Sequence, residues 1–311
     1  MSLNKLVAIL GGREYAKNTT LKFLPPLIRA ELKTKGIDFI IASNNPKAIE
    51  QYKQIPDIKV VEPTQEFRDN FKLRQREIYP NLGAETRELI NQYAKDNNYQ
   101  YVVYLDDNIN GIGYTIPKAD KQNYKECLKY RPKCFIKIIE LLFLCLDKSN
   151  SNSAGLPMKG FPPQTKDITV GFIYSFYAQR VTNEFIYENS TEEDILMTIY
   201  NGYIGNPSLM IRGYFAYGKT GKTNDKSGNR ALYGNMAKTD SRGTYAEKLY
   251  PNIYSKVTSY NVKNNTNQQR IMKQHKHQLK KPKQWDNLLT YDKSLINDIE
   301  NTYKEIKLLQ E

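Results

Sequence analysis

The stretch "YQYVVYLDDN", residues 99–108, decides the fold. An apolar and aromatic run stops abruptly at Asp106, Asp107 and Asn108. Burying adjacent carboxylates is costly unless they are paired or bind a metal. One reading is an Asp-Asn turn leaving a strand, because such residues favour turns. The other is a hard-oxygen site for Mg2+ or Mn2+ at the floor of an active site, with the adjacent Asp106 and Asp107 as ligands.

The preceding sequence favours the second reading. "KLVAIL" (5–10), "IDFIIAS" (37–43) and "IKVVEP" (58–63) are compact apolar runs, separated by helical stretches. "NTTLKFLPPLIRAELKTKG" (18–36) reads as a helix broken or kinked at Pro25-Pro26. "AETRELINQYAKDNN" (84–98) is a helix with Leu89, Ile90 and Tyr93 on one face. Alternating strand and helix with nearly continuous apolar strands implies a mostly parallel, Rossmann-type sheet flanked by helices, an α/β fold. Ligands of such sheets sit beyond the carboxyl ends of the strands, where residues 106–108 fall. Arg13, after the first strand and Gly11-Gly12, is expected at the same edge.

Further along, "FIKIIELLFLCL" (135–146) contains Lys137 and Glu140 and is too short to span a bilayer; it reads as a buried helix. "DITVGFIYSFYAQRV" (167–181) reads as a strand or hairpin, "STEEDILMTIYNGY" (190–203) as a capped helix, and "SLMIRGYFAY" (208–217) as a strand. Residues 218–245 read as a mobile loop, 273–285 as a basic tail, and 291–311 as a closing helix. The expected organisation is an α/β half over 1–110, a second half of the same domain over 111–215, and a basic and helical extension over 216–311.

The chain has 311 residues with 46 Lys and Arg against 33 Asp and Glu, a formal charge of +13 that favours a polyanionic partner. Two histidines, His275 and His277, leave little room for a His-based metal site or a serine-type triad. Cys127, Cys134 and Cys145 match no zinc spacing, and an odd count argues against a disulfide framework. Without a signal-peptide layout or a membrane-spanning run, the expected location is cytoplasmic.

A second acidic cluster, Glu192, Glu193 and Asp194, opens the helix at 190–203. Good capping explains it by itself. A general base at Glu193 or Asp194 is the functional alternative. "AYGKTGKT" (216–223) matches the permissive phosphate-loop pattern with Ala216 for its first glycine, but no apolar helical period follows, so it reads as a decoy whose lysines can still touch phosphate. Arg76 and Arg87 suit diphosphate recognition. Lys273, Lys276, Lys280, Lys281 and Lys283, with Trp285 nearby, suit either a nucleic-acid backbone or a solvated charge run.

The run "GAETRELINQYAKDNNYQYVVYLDDN" resembles the segment of GT-A-type glycosyltransferases in which an Arg-bearing helix precedes a strand ending in the DxD metal motif. "STEEDILMTI" is similar to their acidic motif at the start of a base-bearing helix. Within that group the chain looks most like the TET/JBP-associated glycosyltransferases, phage and eukaryotic enzymes of hydroxymethylated pyrimidines in DNA. The resemblance implies a GT-A-like fold and a nucleoside diphosphate-sugar donor, a UDP-sugar above others. It further implies Mn2+ or Mg2+ on Asp106, Asp107 and Asn108, with Arg13, Arg76, Arg87 and Asp106 toward the donor. Asp194 or Glu193 would be the base, and DNA the acceptor. Asn108 stands where the family has an acid, which shifts weight to Asp106 and Asp107. Rival readings are a glycan or protein acceptor, a metal-dependent nuclease or nucleotidyltransferase, and a non-catalytic DNA-binding module.

Overall fold

The computed structural model describes residues 4–73, 82–117, 124–129, 132–158, 168–182, 184–187, 193–212, 214–219, 244–252, 254–265, 268–279 and 282–309. Its opening elements are β1 (Lys5–Leu10), α1 (Pro26–Thr34), β2 (Ile37–Ala42), α2 (Pro46–Lys53), β3 (Lys59–Val61), α3 (Gln65–Leu73), α4 (Leu82–Asp96) and β4 (Tyr101–Asp106). They follow the alternation expected from the sequence. Pro25-Pro26 acts more sharply than a kink. Residues before it form 3-10 turns at Tyr15–Lys17 and Thr20–Phe23, and the α-helix begins at Pro26, where proline's missing N–H costs nothing.

The chain continues through β5 (Ile109–Pro117), β6 (Tyr124–Lys129), α5 (Pro132–Asp147), β7 (Ser153–Gly155), β8 (Ile168–Val170), β9 (Phe176–Arg180), α6 (Glu193–Tyr203), β10 (Leu209–Ile211) and β11 (Phe215–Lys219). Eight strands form the central sheet in the order β3-β2-β1-β4-β9-β7-β10-β8. The pairs β3–β2, β2–β1, β1–β4 and β7–β10 are parallel; β4–β9, β9–β7 and β10–β8 are antiparallel. Thus 167–181 is no hairpin: its two strands pair elsewhere, β9 with β4 and β7, and β8 with β10.

Period-two alternation explains why the first strands read as continuously apolar. In β1, Val7 and Ile9 enter the core layer with α1 and α5, while Leu6, Ala8 and Leu10 enter the opposite layer with α4 and α6. Both faces are covered, as a parallel sheet requires. Helix α5 is buried almost all round, and its far side is covered by the helix Ser294–Leu308 through Leu295, Ile299 and Ile306. Each such side chain contributes ~1.5–3 kcal/mol by leaving water.

A second sheet runs β11-β5-β6, and a two-stranded ribbon pairs β12 (Tyr254–Asn265) with β13 (Gln268–Leu279). The expected basic tail is therefore partly strand: Lys273 and Lys276 lie in β13. Trp285, in the short helix Pro282–Asp286, is buried against Val170, Ile195, Leu196 and Ile199, and is not available to stack on a base. It lies so flat on Gly202 that a Cβ there would sit 2.6 Å from its ring. Lys280, Lys281, most of the 218–245 loop and the cap at Ser190 or Thr191 lie outside the described residues.

Candidate active site at the carboxyl ends of β1 and β4

The order β3-β2-β1-β4 reverses direction between β1 and β4, the position where open α/β sheets bind ligands. Gly11–Arg13 leave one strand there and Asp106–Asp107 the other. Gly11 is required: a Cβ would lie 2.6 Å from Ile41 Cγ2 and 2.8 Å from the Tyr52 ring. Its N–H donates to the Ala42 carbonyl at 2.7 Å, holding the outgoing chain against β2.

The turn reading of residues 106–108 holds. Asp107 and Asn108 form a turn into β5, and the turn is also the centre of a charged cluster. Thr19 and Thr20 strap it: their N–H groups donate to the Asp107 carbonyl, and Thr20 Oγ1 donates to the Asp106 carbonyl at 2.5 Å. Thr20 Oγ1 also accepts from the Ile109 N–H at 2.9 Å. Tyr52 Oη donates to the Arg13 carbonyl at 2.6 Å and accepts from Asn18 Nδ2 at 2.9 Å, fixing the opposite side.

Three carboxylates meet three cations. Asp106 Oδ1 accepts from Arg87 Nη2 at 3.1 Å, and its Oδ2 from Lys219 Nζ at 2.7 Å. Asp107 Oδ2 accepts from the Arg13 backbone N–H at 2.8 Å, and its Oδ1 pairs with the Arg13 guanidinium. Arg87 Nη1 pairs with Glu193 at the start of α6. Lys219 Nζ also donates to Ser175 Oγ at 2.6 Å.

Burial alone would raise the Asp106 carboxyl, but Lys219 and then Arg87 outweigh it and hold it at about 2. At Asp107 burial dominates; with Asp106 alongside, it lifts the carboxyl to about 6 against the pull of Arg13. Burial also works against the charge on Arg87, yet Glu193 and Asp106 keep it protonated well above its ordinary value. Tyr104, Tyr177 and Tyr187 line the same region. Tyr104 stacks on Tyr177 with ring centres 5.1 Å apart, and Tyr177 Oη shares a 2.8 Å hydrogen bond with Tyr187 Oη.

Of the expected site residues, Arg13, Arg87, Asp106, Asp107 and Glu193 come together, with the half-buried Asp194 beside Glu193. Asn108 follows in the turn. Arg76 lies outside the described residues. Arg87 is 3% exposed with both terminal nitrogens on carboxylates, so it braces the cluster. Glu193 is buried on Arg87, and its neighbour Asp194 is half-buried at the start of α6. The lysine that reaches the cluster, Lys219, comes from the stretch read as a phosphate-loop decoy. Its signal was non-local. Lys219 pairs in register with Ile109, across a bulge at Gly218/Lys219. Bulges re-aim side chains, and this one brings the ammonium to Asp106.

No family model matches the chain, and no curated protein matches it. Its fold is similar, weakly, to a solved galactosyltransferase, LgtC, in complex with donor and acceptor sugar analogs. Identity is 10%, the match covers 57% of this chain and 58% of that chain, and the TM-score is 0.28. The chain thus spans little more than half the length of that structure.

A resident Mg2+ or Mn2+ needs hard oxygens that no fixed cation already faces. All four carboxylate oxygens of Asp106 and Asp107 are engaged by Arg87, Lys219 and Arg13. Among the described residues, no group of three or more His, Cys, Asp or Glu is arranged to hold a metal. The expected ligand set of Asp106, Asp107 and Asn108 does not fit such an ion in this arrangement. Among the described residues, no helix is long and apolar enough to cross a membrane.

Proposed function

We propose that the chain transfers a sugar from a nucleoside diphosphate-sugar, a UDP-sugar first, to a hydroxyl acceptor. The observation carrying this is the cluster of Arg13, Lys219, Asp106 and Asp107 at the switch point of the sheet. It offers cationic donors for a diphosphate and acidic acceptors for hydroxyl groups. Asp194, at the N-terminal end of α6, takes the proton of the attacking hydroxyl as that oxygen bonds to the anomeric carbon. The diphosphate departs with the electron pair of the glycosidic bond. Arg87 holds Glu193 and Asp106 in place while this happens.

For the acceptor we infer a hydroxymethylated pyrimidine in DNA. Supporting this are the charge of +13 and the β12–β13 ribbon. Each strand has 12 residues, and a ribbon of that length reaches about 40 Å. In register, Lys256 stands opposite His277, Tyr260 opposite Lys273, and Lys263 opposite Arg270. A two-stranded ribbon fits the major groove, and basic residues along it would make affinity fall steeply with salt.

The test is a thermal-shift screen of nucleoside diphosphate-sugars. The correct donor at about 100-fold over its Kd should add ~2.7 kcal/mol of stability and raise Tm. If no donor raises Tm, the reading fails. Asp194→Asn should then retain donor binding and lose ~10²–10⁴-fold in transfer.

A further inference from the structure

We propose that the donor's diphosphate is met by the chain's own cations, Lys219 and Arg13, and not by a divalent metal. The proposal rests on the glycosyl-transfer reading above and specifies how that site handles charge. Lys219 Nζ, 2.7 Å from Asp106 Oδ2 and 2.6 Å from Ser175 Oγ, stands on the carboxylate that a bridging ion would need.

An ammonium has three donors. Two go to Asp106 and Ser175, and the third is available for a phosphate oxygen. Arg13 spends its backbone N–H and one guanidinium nitrogen on Asp107, which leaves further guanidinium donors. Exposure separates these two from the bracing arginine. The side chains of Lys219 and Arg13 are 26% and 17% accessible, against 4% for Arg87. Both of these solvent-reaching cations stand at the switch point, one on each aspartate. Asp106 and Asp107 then act as holders that aim cations at the ligand, as carboxylates orient ligands in second shells elsewhere. Preorganised cationic donors of this kind stabilise the charge gathering on a leaving diphosphate.

The decisive experiment is calorimetric titration of the full chain with each of UDP, GDP, CDP, ADP and dTDP, in EDTA and then in Mn2+. The expected result is that the nucleotide that binds does so in EDTA, with affinity changed by less than about threefold by Mn2+. Lys219→Met should weaken that binding in EDTA by about tenfold or more, the worth of one charge-assisted hydrogen bond. Lys219→Arg should recover most of it. Lys219→Met, with Asp106 Oδ2 released, should also gain affinity on adding Mn2+, a response that general loss of structure would not produce. Binding by the unaltered chain that vanishes in EDTA and returns with Mn2+ overturns the proposal and leaves the glycosyl-transfer reading standing. No binding of any nucleotide in either buffer overturns both. Should Lys219→Met fail to fold, the comparison of the two buffers on the unaltered chain still decides.

Discussion

Replacing Arg87 by Met should be the most damaging single change in the cluster. The side chain is 3% exposed and links Glu193 to Asp106. Met preserves most of the apolar stem but withdraws the counter-charge that those two acids share. Removing one partner of a buried ion pair costs ~3–5 kcal/mol, because the charge left behind has already lost its water. Asp106 keeps Lys219, so the cost falls mainly on Glu193, and ~3 kcal/mol is the expected loss. Urea denaturation at neutral pH measures it without screening the charges. Adding Glu193→Gln to Arg87→Met should recover part of the loss, since a neutral amide is far cheaper to bury. The acid limb of stability provides a second readout. The Asp106 carboxyl is held at about 2 against an ordinary 3.8, so its contribution is present above about pH 4 and is lost as pH falls through about 2. That difference is worth ~2 kcal/mol in the unaltered chain, and without Arg87 it should shrink. A loss below ~1 kcal/mol for Arg87→Met would refute the reasoning, because it would mean that water reaches these charges freely.

Two further outcomes follow from the same geometry. Asp107 behaves with the opposite sign. Its carboxyl is raised to about 6, so its contribution is full below about pH 4 and declines as pH rises through about 6, by ~3 kcal/mol; Asp107→Asn should flatten that limb in denaturation at pH values across the window. Thr20→Val keeps shape but strips the hydroxyl that serves both Asp106 and Ile109, and urea denaturation should show a loss of ~1–3 kcal/mol for the backbone groups left unpaired.

The elements that could be read were those with local causes. The strands β1, β2 and β4 announce themselves because both sheet faces are covered there, so each run is nearly continuously apolar. Helix α5 was legible for the same reason. Asp106, Asp107, Arg13 and Arg87 were legible as a site because they sit at fixed places in that rhythm. Their detailed roles were not. Nothing between residues 82 and 96 says that Arg87 faces a glutamate 106 positions later. Lys219 was hidden for a related reason. Its reach depends on β11 crossing to β5 and on a bulge, and neither has a signature in "AYGKTGKT". The three-residue strand β7 was missed, too short for a period to show, and 208–217, read as one strand, is two, β10 and β11, in different sheets. Trp285 looked like a stacking residue beside a basic run, but the absence of a Cβ at Gly202 made room for it in the core.

The packing of Ser294–Leu308 on α5 has a consequence for how the chain is made. Lys148, at the end of α5, bonds to Asp298 across 150 residues of sequence at 2.5 Å. Until that late helix leaves the ribosome, one flank of α5, the most apolar helix among the described residues, stays bare. The sheet can assemble early from its nearby strands, but the layer beneath it closes last. A nascent chain in that state is a ready client for chaperones and a vulnerable one for aggregation. A stalled or shortened product would expose the Phe- and Leu-rich surface of α5, and the charged cluster at the carboxyl edge of the sheet would be the wrong place to look for the defect.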